Sequence, residues 1–250
     1  MAPSSAQARV LAAADTLRVA CDEMSFGDGA AFVYNPLAYA RAGYVAYVER
    51  YAASPKKVVL VGMNPGPFGM AQTGVPFGHV ALVRDWLGIE VEIAKPPREH
   101  PKRPILGFAC PRSEVSGARL WGWAKRRSVQ PENFFRDYFV LNFCPLAFME
   151  TSGRNLTPDK LPAAKRAALF AACEEALGQA VDALRPEWLL GVGAFAASRV
   201  APLAAQRGLR TGAIPHPSPA SPAANRGWEA AAEAALVRLG APLPDNAGLD

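Results

Sequence analysis

Apolar residues recur along this chain in two rhythms, a helical spacing and short continuous runs, and the two alternate. Residues 5–21 (SAQARVLAAADTLRVAC) set Val10, Leu11 and Leu17 on one side of a predicted helix. Tyr34-Asn35-Pro36 reads as a turn, and Pro36, whose φ is already helical, opens a second helix to about Tyr51. Lys57–Val61 (KVVLV) is a β-branched run between Pro55 and Gly62, as expected of a strand buried on both faces. A long Gly- and Pro-rich loop follows, then a helix near 79–87, a basic excursion at 95–104 (KPPREHPKRP) and a helix over 114–127. Residues 138–143 (YFVLNF) predict a second buried strand. A helix over 160–185, the strand Trp188–Val192, a helix over 194–206, the short strand Arg210–Pro215 and a helix over Gly227–Leu239 complete the series. Strands alternating with helices predict an α/β fold of three layers, α/β/α, around a short, mostly parallel four-stranded sheet. Ligands of such sheets bind at the carboxyl ends of the strands, where three polar-rich loops fall here.

Composition narrows this picture. The 250 residues are 50% hydrophobic and 20% charged, enough apolar material for one sizeable core and one domain over 1–250. The helix at about 5–21 and the tail 241–250 are expected to be peripheral. Ala supplies 48 residues, so the apolar fraction overstates the bulk of that core, while 23 Pro and 21 Gly imply long, shaped loops. No apolar run reaches the ~18–20 residues of a membrane span. The start Met1-Ala2-Pro3-Ser4-Ser5 lacks a basic stretch followed by an apolar one, so no secretory signal is expected. The net charge of +5 and pI near 9.2 suit a polyanionic partner only weakly. Lys125-Arg126-Arg127 and the 95–103 stretch could neutralise phosphates or simply be solvated surface. Cys21, Cys110, Cys144 and Cys173 form no Cys-x-x-Cys pair and cluster with no His, which argues against zinc or iron–sulfur and for reduced, buried thiols.

The candidate chemistry sits in the loops. Residues 62–78 (GMNPGPFGMAQTGVPFG) hold five glycines and three prolines, a close-fitting backbone whose polar side chains are Asn64, Gln72 and Thr73 and whose aromatics are Phe68 and Phe77. The loop lacks the Gly-Lys-Ser/Thr ending of a phosphate-binding loop. Asn64-Pro65 would serve equally as a plain turn. Asn142 ends the second strand among apolar residues, where its amide either bonds backbone or meets a complementary amide edge. His216, in HPSPASPAANRGW (216–228), stands between two prolines at a strand end and could donate to developing negative charge.

Together these loops resemble the uracil-DNA glycosylase superfamily, most closely its single-strand-selective monofunctional branch. The resemblance is carried by residues 62–78, by NFCPLAF (142–148) with SGRNLTP (152–158), and by HPSP…ANRGW (216–228), and it runs from about Tyr34 to the final helix. It implies a base-excision repair hydrolase that removes uracil and 5-hydroxymethyluracil from single- and double-stranded DNA without cutting the strand. By the same resemblance His216 donates to O2 of the departing base and Asn64 positions the water. Other branches place an Asp at the water position; Asn is no strong base, so cleavage should be dissociative, with water captured late. Asn142 would read the N3–H and O4 edge and Phe77 would stack on the ring, while Met63, Gly66 and Met70 would line the pocket. Relatives strict for uracil carry a bulky Tyr where this chain has Gly66, so the C5 edge is expected to be open, with the Gly66 and Met70 backbone nearby. Thymine would then be rejected through a bound water. Pro217, Ser218, Pro219, Ala220, Ser221, Asn225 and Arg226 are expected at the DNA, as the wedge that opens the stack. Ala220 departs from the pattern, which has a large basic residue there. The loops hold no lysine for a Schiff base, and no metal or other cofactor is implied. The expected partner is DNA alone, acted on by a monomer in the cytoplasm of a bacterium, since the Ala- and Arg-rich composition is that of a GC-rich gene.

Two other classes compete. Gly191-Val192-Gly193-Ala194-Phe195-Ala196 outlines a dinucleotide-binding turn, but no Asp or Glu lies between Ala194 and Gly227, and close helix–strand packing explains the glycines too. A non-catalytic protein that binds damaged DNA would be favoured by loss of Asn64 or His216, and both are present.

Overall fold

A computed structural model describes residues 5–53 and 55–244. Residues 1–4, part of the start read as carrying no secretory signal, and 245–250 of the expected tail lie outside the described residues. The chain opens with α1 (Ser5–Asp22) and β1 (Phe32–Tyr34), and α2 (Pro36–Tyr39) and α3 (Arg41–Tyr51) lead to β2 (Val58–Gly62). α4 (Met70–Thr73), α5 (Val80–Asp85), α6 (Val115–Ser128) and α7 (Pro131–Asp137) separate β2 from β3 (Tyr138–Asn142). β4 (Ala147–Met149) and β5 (Asn155–Leu156) precede α8 (Ala163–Leu184). β6 (Trp188–Val192), α9 (Ala194–Arg207), β7 (Arg210–Ile214), α10 (Pro222–Asn225) and α11 (Trp228–Leu239) follow.

The four long strands form a parallel sheet in the order β3-β2-β6-β7. Every residue of β2 and β6 is buried, as their continuous apolar runs require. The connection from β2 to β3 crosses the sheet one way, and those from β3 to β6 and from β6 to β7 cross it the other way. Right-handed crossovers therefore put α6 and α7 on one face and α8 and α9 on the opposite face. α1 packs along α8, and α11 packs on α6 and β7. The reversal at β2 opens a crevice at the carboxyl ends, bounded by Gly62, Asn142, Gly193 and the chain beyond Ile214. Tyr47 on α3 closes the β3 edge: its hydroxyl donates to the Val140 carbonyl at 3.0 Å and accepts from the Val140 amide at 3.2 Å.

Three features differ from the sequence reading. The helix expected over 36–51 breaks at Ala40 into α2 and α3. α7 abuts β3 directly, and its seven residues (PENFFRD) are too few to show a helical period in the sequence. A second, antiparallel sheet, β1-β4-β5, is built from strands of two or three residues, too short to show alternation. That hairpin carries residues 155–157 to the carboxyl end of the main sheet.

The glycines of the 191–196 turn have a packing explanation. A Cβ on Gly191 would lie 2.1 Å from the Ala197 amide nitrogen, and one on Gly193, at φ +87°, 3.0 Å from the His216 Cβ. Two residues of the basic run at 125–127 are engaged within the fold. The run ends α6, about 15 Å from that helix's first turn, and Arg126 and Arg127 pair with Glu229 and Glu233 of α11. All four cysteines are free and buried. Among the described residues no helix is long and apolar enough to cross a membrane.

The contact at Gly191 yields a prediction. Gly191→Ala forces a methyl into the α9 backbone and should cost about 1–3 kcal/mol. Urea unfolding should show a lower midpoint at unchanged slope; an unchanged midpoint would mean that α9 is not seated on β6 as described.

Candidate active site

A cavity of about 410 Å³ opens at the carboxyl ends of the parallel strands. The first loop contributes Met63, Asn64, Gly66, Met70 and Phe77 to its wall, β3 contributes Asn142, and the chain after β7 contributes His216, Ser218, Ala220 and Ser221. Glu114 and Ser116 reach it from the start of α6, and Asn155 and Thr157 from the hairpin.

The first loop is braced from within. The buried Gln72 side chain donates to the carbonyls of Pro67 and Pro104 and accepts from the amides of Leu106 and Gly107, so its polarity is spent on shape. Thr73 likewise bonds Gly69 and Val75 within the loop. Phe77 adopts φ +54°, a left-handed conformation that costs a residue with a side chain about 1–3 kcal/mol. Gly117 of α6 fits over the Phe77 carbonyl, where a Cβ would approach to 1.9 Å. Phe68, the loop's other aromatic, has the guanidinium groups of Arg112 and Arg103 at 4.2 and 5.2 Å from its ring centre.

Three side chains are each held at one polar atom. Asn64 donates through Nδ2 to the Leu146 carbonyl at 3.2 Å, which leaves Oδ1 as an acceptor. Asn142 donates through Nδ2 to the Met70 sulfur at 3.2 Å. His216 accepts at Nδ1 from the Ser218 amide at 3.1 Å. An imidazole that accepts at Nδ1 carries its proton on Nε2, and burial pushes the His216 pKa below its ordinary value. The group is therefore a neutral N–H donor. Its ring centre stands 6.2 Å from that of Phe77.

The structure amends four expectations. The space beside Gly66 is not empty, because the Glu114 carboxylate fills it: a Cβ on Gly66 would lie 2.2 Å from Oε2. Met70 presents its side-chain sulfur rather than only its backbone. Asn225, expected at the DNA, is committed within the loop, accepting from Arg119 at 3.2 Å and donating to the Pro219 carbonyl at 2.8 Å. Pro217 is buried, and its carbonyl accepts from Arg119 at 2.8 Å. Pro219, Ala220 and Arg226 are exposed, and Ser218 and Ser221 line the cavity. Sequence reasoning missed Glu114, Ser116 and the brace Arg119. Asn155 and Thr157 lie in the motif 152–158, which marks them without giving a role.

The Uracil DNA glycosylase superfamily matches residues 49–237. A Bos taurus protein described as "Single-strand selective monofunctional uracil DNA glycosylase" is 50% identical over 225 residues, covering 87% of this chain and 81% of its own length. A Rattus norvegicus protein of equivalent description is 50% identical over 232 residues, covering 90% and 81%. The chain belongs to the uracil DNA glycosylase superfamily and, within it, to the single-strand selective monofunctional family. The crystal structure of wild-type SMUG2 from Pedobacter heparinus matches with a TM-score of 0.59 over 90% of this chain and 94% of that one; at 16% identity this is a likeness of fold.

The lowered His216 pKa sets a pH dependence of stability. Unfolded, His216 titrates near 6.5; folded, it titrates lower, so below about pH 6.5 the unfolded chain binds more protons and stability is lost as the pH is lowered. His79, also lowered by burial, adds a component of the same sign. Urea unfolding at pH 7 and pH 5 should show a smaller loss for His216→Gln than for the wild type; equal losses would contradict the assignment.

Proposed function

We propose that this protein is a base-excision repair enzyme that hydrolyses the N-glycosidic bond of uracil, and of uracils oxidised at C5 such as 5-hydroxymethyluracil, in single- and double-stranded DNA. The product is an abasic site in an uncut strand. The observation that carries this reading is the convergence in one cavity of Asn64, Asn142 and His216, each held at one polar atom and unused at another.

Uracil offers a donor at N3 and an acceptor at O4, the complement of a carboxamide. Asn142 accepts from N3–H through Oδ1 and donates to O4 through one Nδ2 hydrogen, while the other stays on the Met70 sulfur. Cytosine would need the amide turned over, with its oxygen against that sulfur, two acceptors facing each other. Phe77 stacks on the ring. His216 donates from Nε2 to O2 as the bond from N1 to C1′ breaks and its electron pair moves onto the base. The deoxyribose is left as an oxocarbenium ion, and a water held by Asn64 Oδ1 adds to C1′ and gives up a proton to solvent. No lysine lines the cavity, so the reading includes no Schiff base and no strand cleavage.

Flipping the base costs a few kcal/mol, least in single strands and mismatches. The exposed Pro219, Ala220 and Arg226 are placed to meet the DNA, with Arg119 and Asn225 setting the shape of their loop. The whole 250-residue chain acts on this reading as one domain and as a monomer, in the cytoplasm of a bacterial cell.

The test is incubation, with EDTA present, of end-labelled single-stranded DNA carrying one uracil or one 5-hydroxymethyluracil. Breaks should appear only after alkali, and His216→Ala should slow them about 10²–10³-fold. DNA that is bound but never excised would make this a damage-binding protein instead.

A further inference from the structure

Among the described residues Glu114 is the one carboxylate on the wall of the cavity. It is the N-cap residue of α6, with extended backbone, and its carboxylate meets the Ser116 amide of the helix's first turn. Its side chain lies along the first loop, where the Cβ positions of Gly66 and Gly69 would fall 2.2 Å from Oε2 and 2.9 Å from Cγ. Among the described residues no lysine or arginine forms an ion pair with it. Burial raises its pKa, and the backbone amides of Phe68 and Ser116 pull it partly back. A half-buried carboxylate without a cation, beside a site that releases an anionic base, carries a desolvation cost that two amide hydrogen bonds offset only in part.

Ring geometry indicates a role for this carboxylate, given the reading under Proposed function, on which this inference rests. Around uracil the order is N1, C2 with O2, N3, C4 with O4, C5 and C6. His216 takes O2 and Asn142 takes N3 and O4, so the edge left for the rest of the wall is C5–C6. The turn holding Gly66 and Met70 continues that wall from Asn142, since the Met70 sulfur touches the Asn142 amide, and Glu114 fills the space beside Gly66. We propose that Glu114 determines specificity at C5: its carboxylate accepts a hydrogen bond from a hydroxyl carried on C5 and repels an anionic C5 substituent. A hydroxyl there also stands between the carboxylate and the departing base.

The experiment measures kcat/KM on single-stranded DNA containing uracil, 5-hydroxymethyluracil or 5-carboxyuracil, so that general losses cancel in the ratios within each variant. Glu114→Gln keeps the shape and removes the charge. It should lower the ratio of 5-hydroxymethyluracil to uracil about tenfold, the difference between a charged and a neutral acceptor, and should raise the ratio of 5-carboxyuracil to uracil. Glu114→Asp, which keeps the charge but withdraws it by one methylene, should lower the first ratio without raising the second, and it carries the test if the Gln variant does not fold. Equal losses on all three substrates, or ratios within about twofold of wild type, would overturn the inference and leave Glu114 a structural or water-positioning group. If the wild-type protein excises neither uracil nor 5-hydroxymethyluracil, the reading of the site has failed, and the inference falls with it.

Discussion

Gly62 ends β2 in register with Asn142 on β3, and a side chain there would stand 2.4 Å from the Phe77 ring and 2.5 Å from the Asn142 amide oxygen. The floor of the cavity is consequently backbone, and the base-reading amide and the stacking ring can occupy one point at the end of the sheet. The loop must turn back sharply to bring Phe77 there, which it does at φ +54°. Gly117 then admits the Phe77 carbonyl into the surface of α6, so the first turn of that helix, with Glu114, lies on the cavity. One missing Cβ thus links the sheet register, the strained loop and the docking of a helix.

The polar groups around that floor share a construction. Each has one atom bonded to a partner fixed by the fold: the Leu146 carbonyl for Asn64, the Met70 sulfur for Asn142 and the Ser218 amide for His216. A buried polar group left wholly unbonded would cost stability, whereas one bonded on a single side is oriented and keeps a free lone pair or N–H. For His216 the consequence is chemical, because the partner selects the tautomer. A fold that supplied a carbonyl at Nδ1 would present an acceptor to the cavity and could not stabilise a departing anion.

Much of this was legible in the sequence. The parallel sheet announced itself because the buried stretches VVLV and YFVL are unbroken apolar runs, and the site loops because together they resemble those of a known family, although each residue alone read equally well as a turn or a core group. The second sheet was not legible, since its strands are too short to alternate and pair across more than a hundred residues, as Phe32 does with Met149. Glu114 and Arg119 were hidden because the pattern at 114–127 says only that a helix is present. Which of its ends faces the cavity depends on how Gly117 seats against Phe77 and Glu114 against Gly66 and Gly69, some forty to fifty residues earlier in the chain. For the same reason Lys125-Arg126-Arg127 could be read either as phosphate contacts or as solvated surface, and their place at the far end of α6, with two of the three paired to α11, was not visible.

The account turns on His216 being a neutral donor through Nε2, and nitrogen NMR of protein labelled at histidine reads this directly, with only three histidines to assign. At pH 7 His216 should show a protonated Nε2 and a bare Nδ1, and should stay neutral to lower pH than a free imidazole. An imidazolium at pH 7, or the tautomer protonated at Nδ1, would contradict the central claim.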